Sequence, residues 1–225
     1  TWSRVSSWRC TSGIDMSHTT THSLLLKSSA TFMPAIDAHW HKALQTHFSC
    51  TFNLQSVGTA QAENMQPMHH VYLHLEKPQP LNAADAMTAE KIWRILTGHE
   101  AQVSRLQCVM QRPGMSRHSA PTVHYVVETD PEDGWQDEIF RWYDQEHLPG
   151  LSEVPGTVLA QRFLNLDHSP MSFACYDLTS AEVLTSPAWL AVRASAWSDI
   201  CRPHFTNTLR TLFETIHTPL ERKLS

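Results

Sequence analysis

Tyr143, Asp144 and His147 are the residues of this chain whose types and spacing most readily support chemistry. On a helix, positions i and i+4 share a face, so Tyr143 and His147 are expected to project together, with Ile139 one turn earlier on the same stripe. Asp144, three residues before His147, is placed to accept a ring N–H and fix the tautomer, which raises the basicity of the other nitrogen. Pro149 is expected to stop the helix there, at an end whose dipole favours imidazolium. A histidine so prepared takes a proton from a weakly acidic C–H or O–H, with Tyr143 donating a hydrogen bond and Arg162 stabilising the developing negative charge. The plainer reading of the same residues is a histidine capping helix carbonyls, a Tyr143–Ile139 packing stripe and an Arg162 held in a structural ion pair.

A second group of side chains sits on strands. In the stretch His69–Glu76, residues His70, Tyr72, His74 and Glu76 share one face, while Val71, Leu73 and Leu75 share the other. Such a polar, aromatic face lines a pocket between sheets or is a solvated edge-strand face. His124 shares a face with Val126 and Glu128, and Arg162 shares one with Val158 and Ala160. His70, Tyr72, His74, His124, Trp142, Phe163 and Trp189 are the expected substrate contacts, and aromatic walls suit a flat apolar ligand. Arg193, Trp197 and the run Arg202-Pro203-His204-Phe205 are placed to rim the mouth of such a pocket.

Metal chemistry finds little support, although the chain holds 15 His and 5 Cys in its 225 residues. His39 and His41 lie about 200° apart on a helix, and His70 and His74 about 13 Å apart on a strand, so neither pair closes on one ion. His69 and His70 point to opposite faces of one strand. Cys10, Cys50, Cys108, Cys175 and Cys201 form no CxxC or CxxH pair, which argues against a thiolate zinc site or a disulfide framework. There is no Gly-rich dinucleotide fingerprint, phosphate loop or nucleophile elbow, so neither a metal nor an organic cofactor is expected. A net charge of −5 without a basic run lacks the electrostatic footprint of nucleic-acid binding. Apolar runs fall far short of the roughly 20 residues that span a bilayer, and a cytoplasmic protein is expected.

The elements that must position these residues repeat one order. Ser and Thr crowd residues 1–21 around Gly13, which reads as a flexible leader with Met16 a candidate start. Periodicity then predicts strand 22–29, helix 35–48, strands 52–60 and 69–76, helix 82–96 capped by Asn82, and strand 103–111. After a Pro/Gly/Ser linker over 113–121, the second half gives strand 122–128, helix 134–147, strands 157–165 and 171–178, helix 187–200 and strand 207–216. Each half is βαββαβ, at an offset of about 100 residues that brings Asp37 over Asp137 and His47 over His147. The expected domains are 22–112 and 122–217, with a tail at 218–225. Such a unit is a four-stranded antiparallel sheet with both helices on one face, and two units in one chain can cover each other's bare face. The fold class is therefore α+β: two tandem ferredoxin-like repeats whose sheets pack face to face as an intrachain α/β barrel, with a small-molecule pocket between them.

The segment Trp142-Tyr143-Asp144-Gln145-Glu146-His147-Leu148-Pro149-Gly150-Leu151, followed by Val154-Pro155-Gly156 and a strand carrying Arg162-Phe163, resembles the dimeric α/β-barrel superfamily. More narrowly it resembles the EthD-like branch, in which an aromatic residue, a spacer, His and Pro close the first helix and a VPG turn leads to the second strand. The resemblance covers Thr122 to Ile216; around His47 the first half lacks the Tyr, the Pro-Gly and the turn. Superfamily members include cofactor-independent monooxygenases, muconolactone isomerases, polyketide cyclases and haem-degrading enzymes. The resemblance and the residues together imply a small-molecule enzyme without an organic cofactor, doing isomerase-, cyclase-, dehydratase- or lyase-type proton transfer at His147. The alternatives are cofactor-free oxygenation of an aromatic or polyketide substrate and non-catalytic binding of a small ligand or haem. A homodimer of tandem-repeat chains is compatible with all of these.

Overall fold

The computed structural model describes residues 20–29, 34–58 and 68–217. The leader before Thr20, including Cys10 and Met16, and the tail at 218–225 lie outside the described residues. The first repeat runs β1 (Thr21–Ser28), α1 (Pro34–Phe48), β2 (Phe52–Gly58), β3 (His69–Gln79), α2 (Ala83–Thr97) and β4 (Gln102–Pro113). The second runs β5 (Val123–Pro131), α3 (Gln136–Trp142), a π-helical turn (Tyr143–His147), α4 (Leu148–Ser152), β6 (Thr157–Asn165), β7 (Ser172–Leu178), α5 (Pro187–Arg193), α6 (Ala196–Cys201) and β8 (Phe205–His217).

The eight strands close into one barrel in the order β1-β3-β2-β8-β5-β7-β6-β4. Each repeat contributes a contiguous four-strand arc, and the arcs meet where β2 pairs with β8 and β4 with β6, both antiparallel. Closure removes the unpaired sheet edges that each repeat would otherwise expose. The barrel forms within one chain, so no second copy is needed to cover either sheet.

Strand alternation divides the core into three parts. Inside the barrel lie Leu25, Val57, Tyr72, Leu106, Val126, Phe163, Phe173, Cys175 and Phe213. Outside it, Trp40, Leu44 and Trp93 of α1 and α2 pack on Leu24, Leu26, Val71 and Leu73. On the opposite side Ile139, Trp142, Tyr143, Leu151 and Trp189 pack on Val127, Ala160, Ala174 and Tyr176. Because successive side chains point to opposite faces of a strand, Tyr72 and Val71 belong to different cores, as do Phe163 and Ala160.

Local chemistry explains the helix ends. Asn82 caps α2 by accepting from the N–H groups of Ala84 and Asp85, and the Asp85 carboxylate returns a bond to the Asn82 N–H. Ser186 caps α5 at the Trp189 N–H, with Pro187 in the first turn. The single helix expected over 187–200 is instead two, because Ser195 starts a new one by accepting from the Ser198 N–H. The break shifts the buried stripe: Cys201 and Ser198 are buried, while Ile200 is 53% exposed.

Candidate active site

The expected helix stop at Pro149 does not occur; α3 passes through a π-helical turn and continues as α4. Proline has no N–H to donate to the preceding turn, so the helical ladder is interrupted there. The chain widens around the gap, and the Leu148 N–H reaches Tyr143 O, an i→i+5 bond. A turn of this width brings residues five apart to one face. Trp142 and His147 are thereby stacked, with ring centroids 4.1 Å apart and planes 24° from parallel. Tyr143 meets the same imidazole edge-on at 5.5 Å. Gly150 lets α4 approach α5 closely, since a Cβ there would lie 2.9 Å from Val192 Cγ1.

This widening corrects the expected Asp144–His147 pair. Asp144 turns toward β6 and accepts from Arg162 Nη1 at 2.6 Å. His147 Nδ1 is buried without a hydrogen-bond partner. The expected rise in basicity is reversed as well: burial, reinforced by the Arg193 and Arg202 charges, pushes the imidazole down to about 3. Desolvation and two nearby cations outweigh any favourable helix dipole, so His147 is neutral at pH 7. Burial pushes the Tyr143 phenol up, so it too is neutral and able to donate.

Arg162, expected as an anion clamp, is 1% exposed and paired with Asp144. Its guanidinium carbon lies 3.9 Å from the Phe140 ring centroid and 5.5 Å from that of Tyr143. It supports the π turn from the sheet side and is not among the residues lining the cleft.

The cleft itself lies between the outer face of β5, β7 and β8 and the helices of the second repeat. Its aromatic walls are Tyr125, Trp142, Tyr143, Tyr176, Trp189 and Phe205, and its polar groups include His147, Arg193, Arg202 and Arg210. The indole nitrogens of Trp142 and Trp189 and the Tyr176 hydroxyl are, like His147 Nδ1, buried without partners. Free space in the cleft is about 30 Å³, room for one water-sized group. Arg193 and Arg202 are half-buried and Arg210 is exposed, and Arg202 Nη1 donates to Arg193 O at 3.3 Å.

The expected contacts divide between this cleft and the barrel interior. His147, Tyr143, Trp142 and Trp189 come together in the cleft. Tyr72 and Phe163 face the barrel interior, and so do His70, His74 and His124, which ring-pack with them or with Phe213. The single pocket expected between the sheets is therefore not where His147 lies; a strand's thickness separates the two sets. Tyr125, Tyr176 and Arg210 of the cleft were not foreseen, although Tyr125 alternates with His124 and is the register partner of Tyr176. The position equivalent to the cleft in the first repeat is packed shut. Trp40 and Trp93 meet edge to face at 5.9 Å, Asp37 is buried between Ser56 and His69, and His47 is exposed.

No described group of three or more His, Cys, Asp or Glu residues is arranged to hold a metal ion. No described helix is long and apolar enough to cross a membrane.

No protein-family model matches the chain, and no curated protein matches it significantly. Solved structures do. A putative monooxygenase from Fusobacterium nucleatum superposes with a TM-score of 0.58 at 6% identity, covering 90% of this chain and 95% of that one. A mutant chlorite dismutase from Candidatus Nitrospira defluvii gives 0.56 at 9% identity, covering 88% and 92%. An anthrone oxidase-like protein gives 0.51 at 11% identity, covering 88% and 92%. At these identities the likeness is one of fold: an α+β architecture whose closed eight-stranded barrel is built from both repeats of one polypeptide.

Proposed function

We propose that the second-repeat cleft, widened by outward movement of its arginines, binds a flat aromatic molecule carrying an anionic oxygen, and that the reaction there is oxygenation of that molecule by O₂ without a metal or organic cofactor. The observation that carries this reading is the combination of six aromatic walls with Arg193, Arg202 and Arg210 around one neutral histidine. Aromatic faces select a planar ligand, and guanidinium groups select its negative charge. Stabilising the enolate or phenolate form is what such chemistry requires, because the anion is the species that gives an electron to O₂. Recombination forms a C–O bond, and loss of water from the hydroperoxide leaves a carbonyl, so the net change is CH₂ + O₂ → C=O + H₂O. His147 and Tyr143 serve as hydrogen-bonding groups in this scheme.

The low basicity of His147 weighs against proton-transfer chemistry with this residue as the base. The likeness in fold to proteins described as a putative monooxygenase and as anthrone oxidase-like supports this reading. Within the superfamily, the run Trp142–Leu151 and the Val154–Gly156 turn support placement in the EthD-like branch.

The deciding experiment incubates the purified protein with an anthrone-type phenol under ¹⁸O₂. Labelled quinone that is lost in Arg202→Ala and Arg210→Ala is the expected result. Tight binding without product would make the chain a binding protein. A Soret band on adding haem, again lost with the arginines, would assign the cleft to that other planar anion.

A further inference from the structure

The barrel interior carries a hydrogen-bonded chain that the second-repeat cleft does not use. Ser23 on β1 and His74 on β3 are direct register partners, and Ser23 Oγ lies 2.8 Å from His74 Nδ1. His74 Nε2 lies 3.1 Å from Gln55 Oε1, and Gln55 Nε2 donates to Asp177 Oδ1 at 3.1 Å. On the far side of Asp177, His124 Nδ1 sits 2.7 Å from the same oxygen, and His124 Nε2 is 3.3 Å from the Tyr72 hydroxyl.

Donor and acceptor logic gives this chain a direction. A carboxylate only accepts, so Gln55 presents its amide N–H to Asp177 and its carbonyl oxygen to His74. That oxygen can only accept, so His74 carries its proton on Nε2 and leaves Nδ1 bare. Nδ1 then accepts from the Ser23 hydroxyl. A serine whose proton points at a bare imidazole nitrogen, with the other nitrogen held by a fixed acceptor, has the arrangement of an activated nucleophile. The imidazole is also held in place by stacking, 7° from parallel with Tyr72 and 25° from parallel with Phe163.

The pair opens on space. Ser23, His74, Asn53, Cys108, Gln161 and Phe163 line a cavity of about 170 Å³ at one mouth of the barrel. Asn53, Gln111 and Gln161 line the same mouth, where the Gln161 amide donates to Gln111 Oε1 at 2.7 Å.

We propose that Ser23 is the nucleophile of a second catalytic centre, which hydrolyses small esters at the barrel mouth with His74 as general base. Ser23 Oγ adds to the ester carbonyl carbon as its proton passes to His74 Nδ1. The carbonyl–alkoxide bond breaks, and the alkoxide leaves with that proton as an alcohol. Water then attacks the acyl-Ser23, releases the acid and restores the hydroxyl. Gln55 and Asp177 are positioning residues that fix the tautomer of His74. Flat or short acyl groups suit the cavity, given its size and its Phe163 wall.

The test is labelling of the full chain with a short-alkyl fluorophosphonate, followed by peptide mass mapping. One adduct is expected on Ser23, absent in Ser23→Ala and absent after denaturation. His74→Phe keeps a ring between Tyr72 and Phe163 but removes the base, and should slow labelling by roughly 10²- to 10⁴-fold. Gln55→Leu should slow it and change its pH profile, because His74 Nε2 then loses the fixed acceptor that sets its tautomer. A folded protein that gives no Ser23 adduct, or one labelled equally fast in His74→Phe, would overturn the proposal and leave the chain as a structural link between the repeats.

Discussion

The indole of Trp142 lies flat against the imidazole of His147, at a centroid separation of 4.1 Å. This contact exists because the turn between them is π-helical, and it buries His147 deeply enough to keep it uncharged. Its consequence is a stability that depends on pH. The folded pKa, about 3, lies below the ordinary 6.5, so the unfolded state binds the extra proton. The contribution is fully present above about pH 6.5 and is lost as pH falls toward 3. At pH 5 the loss from His147 is roughly 2 kcal/mol. Burial pushes His70 below its ordinary value too, so its loss has the same sign. Urea titrations at pH 7 and pH 5 should show the drop, and His147→Gln should reduce it.

Arg193, Arg202 and Arg210 are expected to recognise charge more than shape. Replacing Arg202 or Arg210 with Ala should weaken binding of an anionic aromatic ligand roughly 10- to 100-fold, the value of one charged hydrogen bond. A neutral isostere of the same ligand should bind the variants and the wild type alike. Calorimetry with the two ligands separates the effects; equal losses for both would mean that the arginines only shape the cleft.

Gly150 allows α4 and α5 to touch, with Val192 Cγ1 2.9 Å and Val192 Cγ2 3.3 Å from the position of an added Cβ. Gly150→Ala should therefore cost about 1–3 kcal/mol through overpacking. Adding Val192→Ala should recover much of that loss. Thermal melts of the two single variants and the double variant form the cycle that measures the coupling.

Arg105 on β4 and Asp167, in the β6–β7 turn, tie the two repeats together. Arg105 Nε and Nη2 both donate to the Asp167 carboxylate, Arg105 Nη1 donates to Leu81 O, and the Arg105 N–H also reaches Asp167. The side chains are 10% and 9% exposed. Asp167→Ala strands a guanidinium in a buried site and should destabilise the fold by about 3–5 kcal/mol. Arg105→Met combined with Asp167→Ala should be less damaging than Asp167→Ala alone, as denaturant midpoints would show.

Much of this architecture was legible because its signals are local. The period-2 alternation of His70, Tyr72 and His74 against Val71, Leu73 and Leu75 correctly separates barrel interior from helix-side core. Asn82 and Ser186 mark real helix starts. The site was harder to read, because its geometry depends on a departure from α-helical spacing. Counting i−3 from His147 puts Asp144 beside it; the π turn over Tyr143–His147 sends Asp144 to Arg162 instead. Sequence spacing also carries no measure of burial, and burial is what sets the charge state of His147. Tyr125 and Tyr176 meet only through strand pairing, which links residues far apart in the chain.

The closing of both repeats into one polypeptide releases the barrel from symmetry. In a homodimer every substitution appears twice, so a change that opens one pocket also opens its mate and must be tolerated at both. Here the first repeat could fill its helix–sheet interface with Trp40, Trp93 and a buried Asp37, while the second kept an aromatic cleft with cationic groups. The helix–sheet interface of the first half is therefore free to serve as scaffold, and selection on the cleft acts on one copy alone.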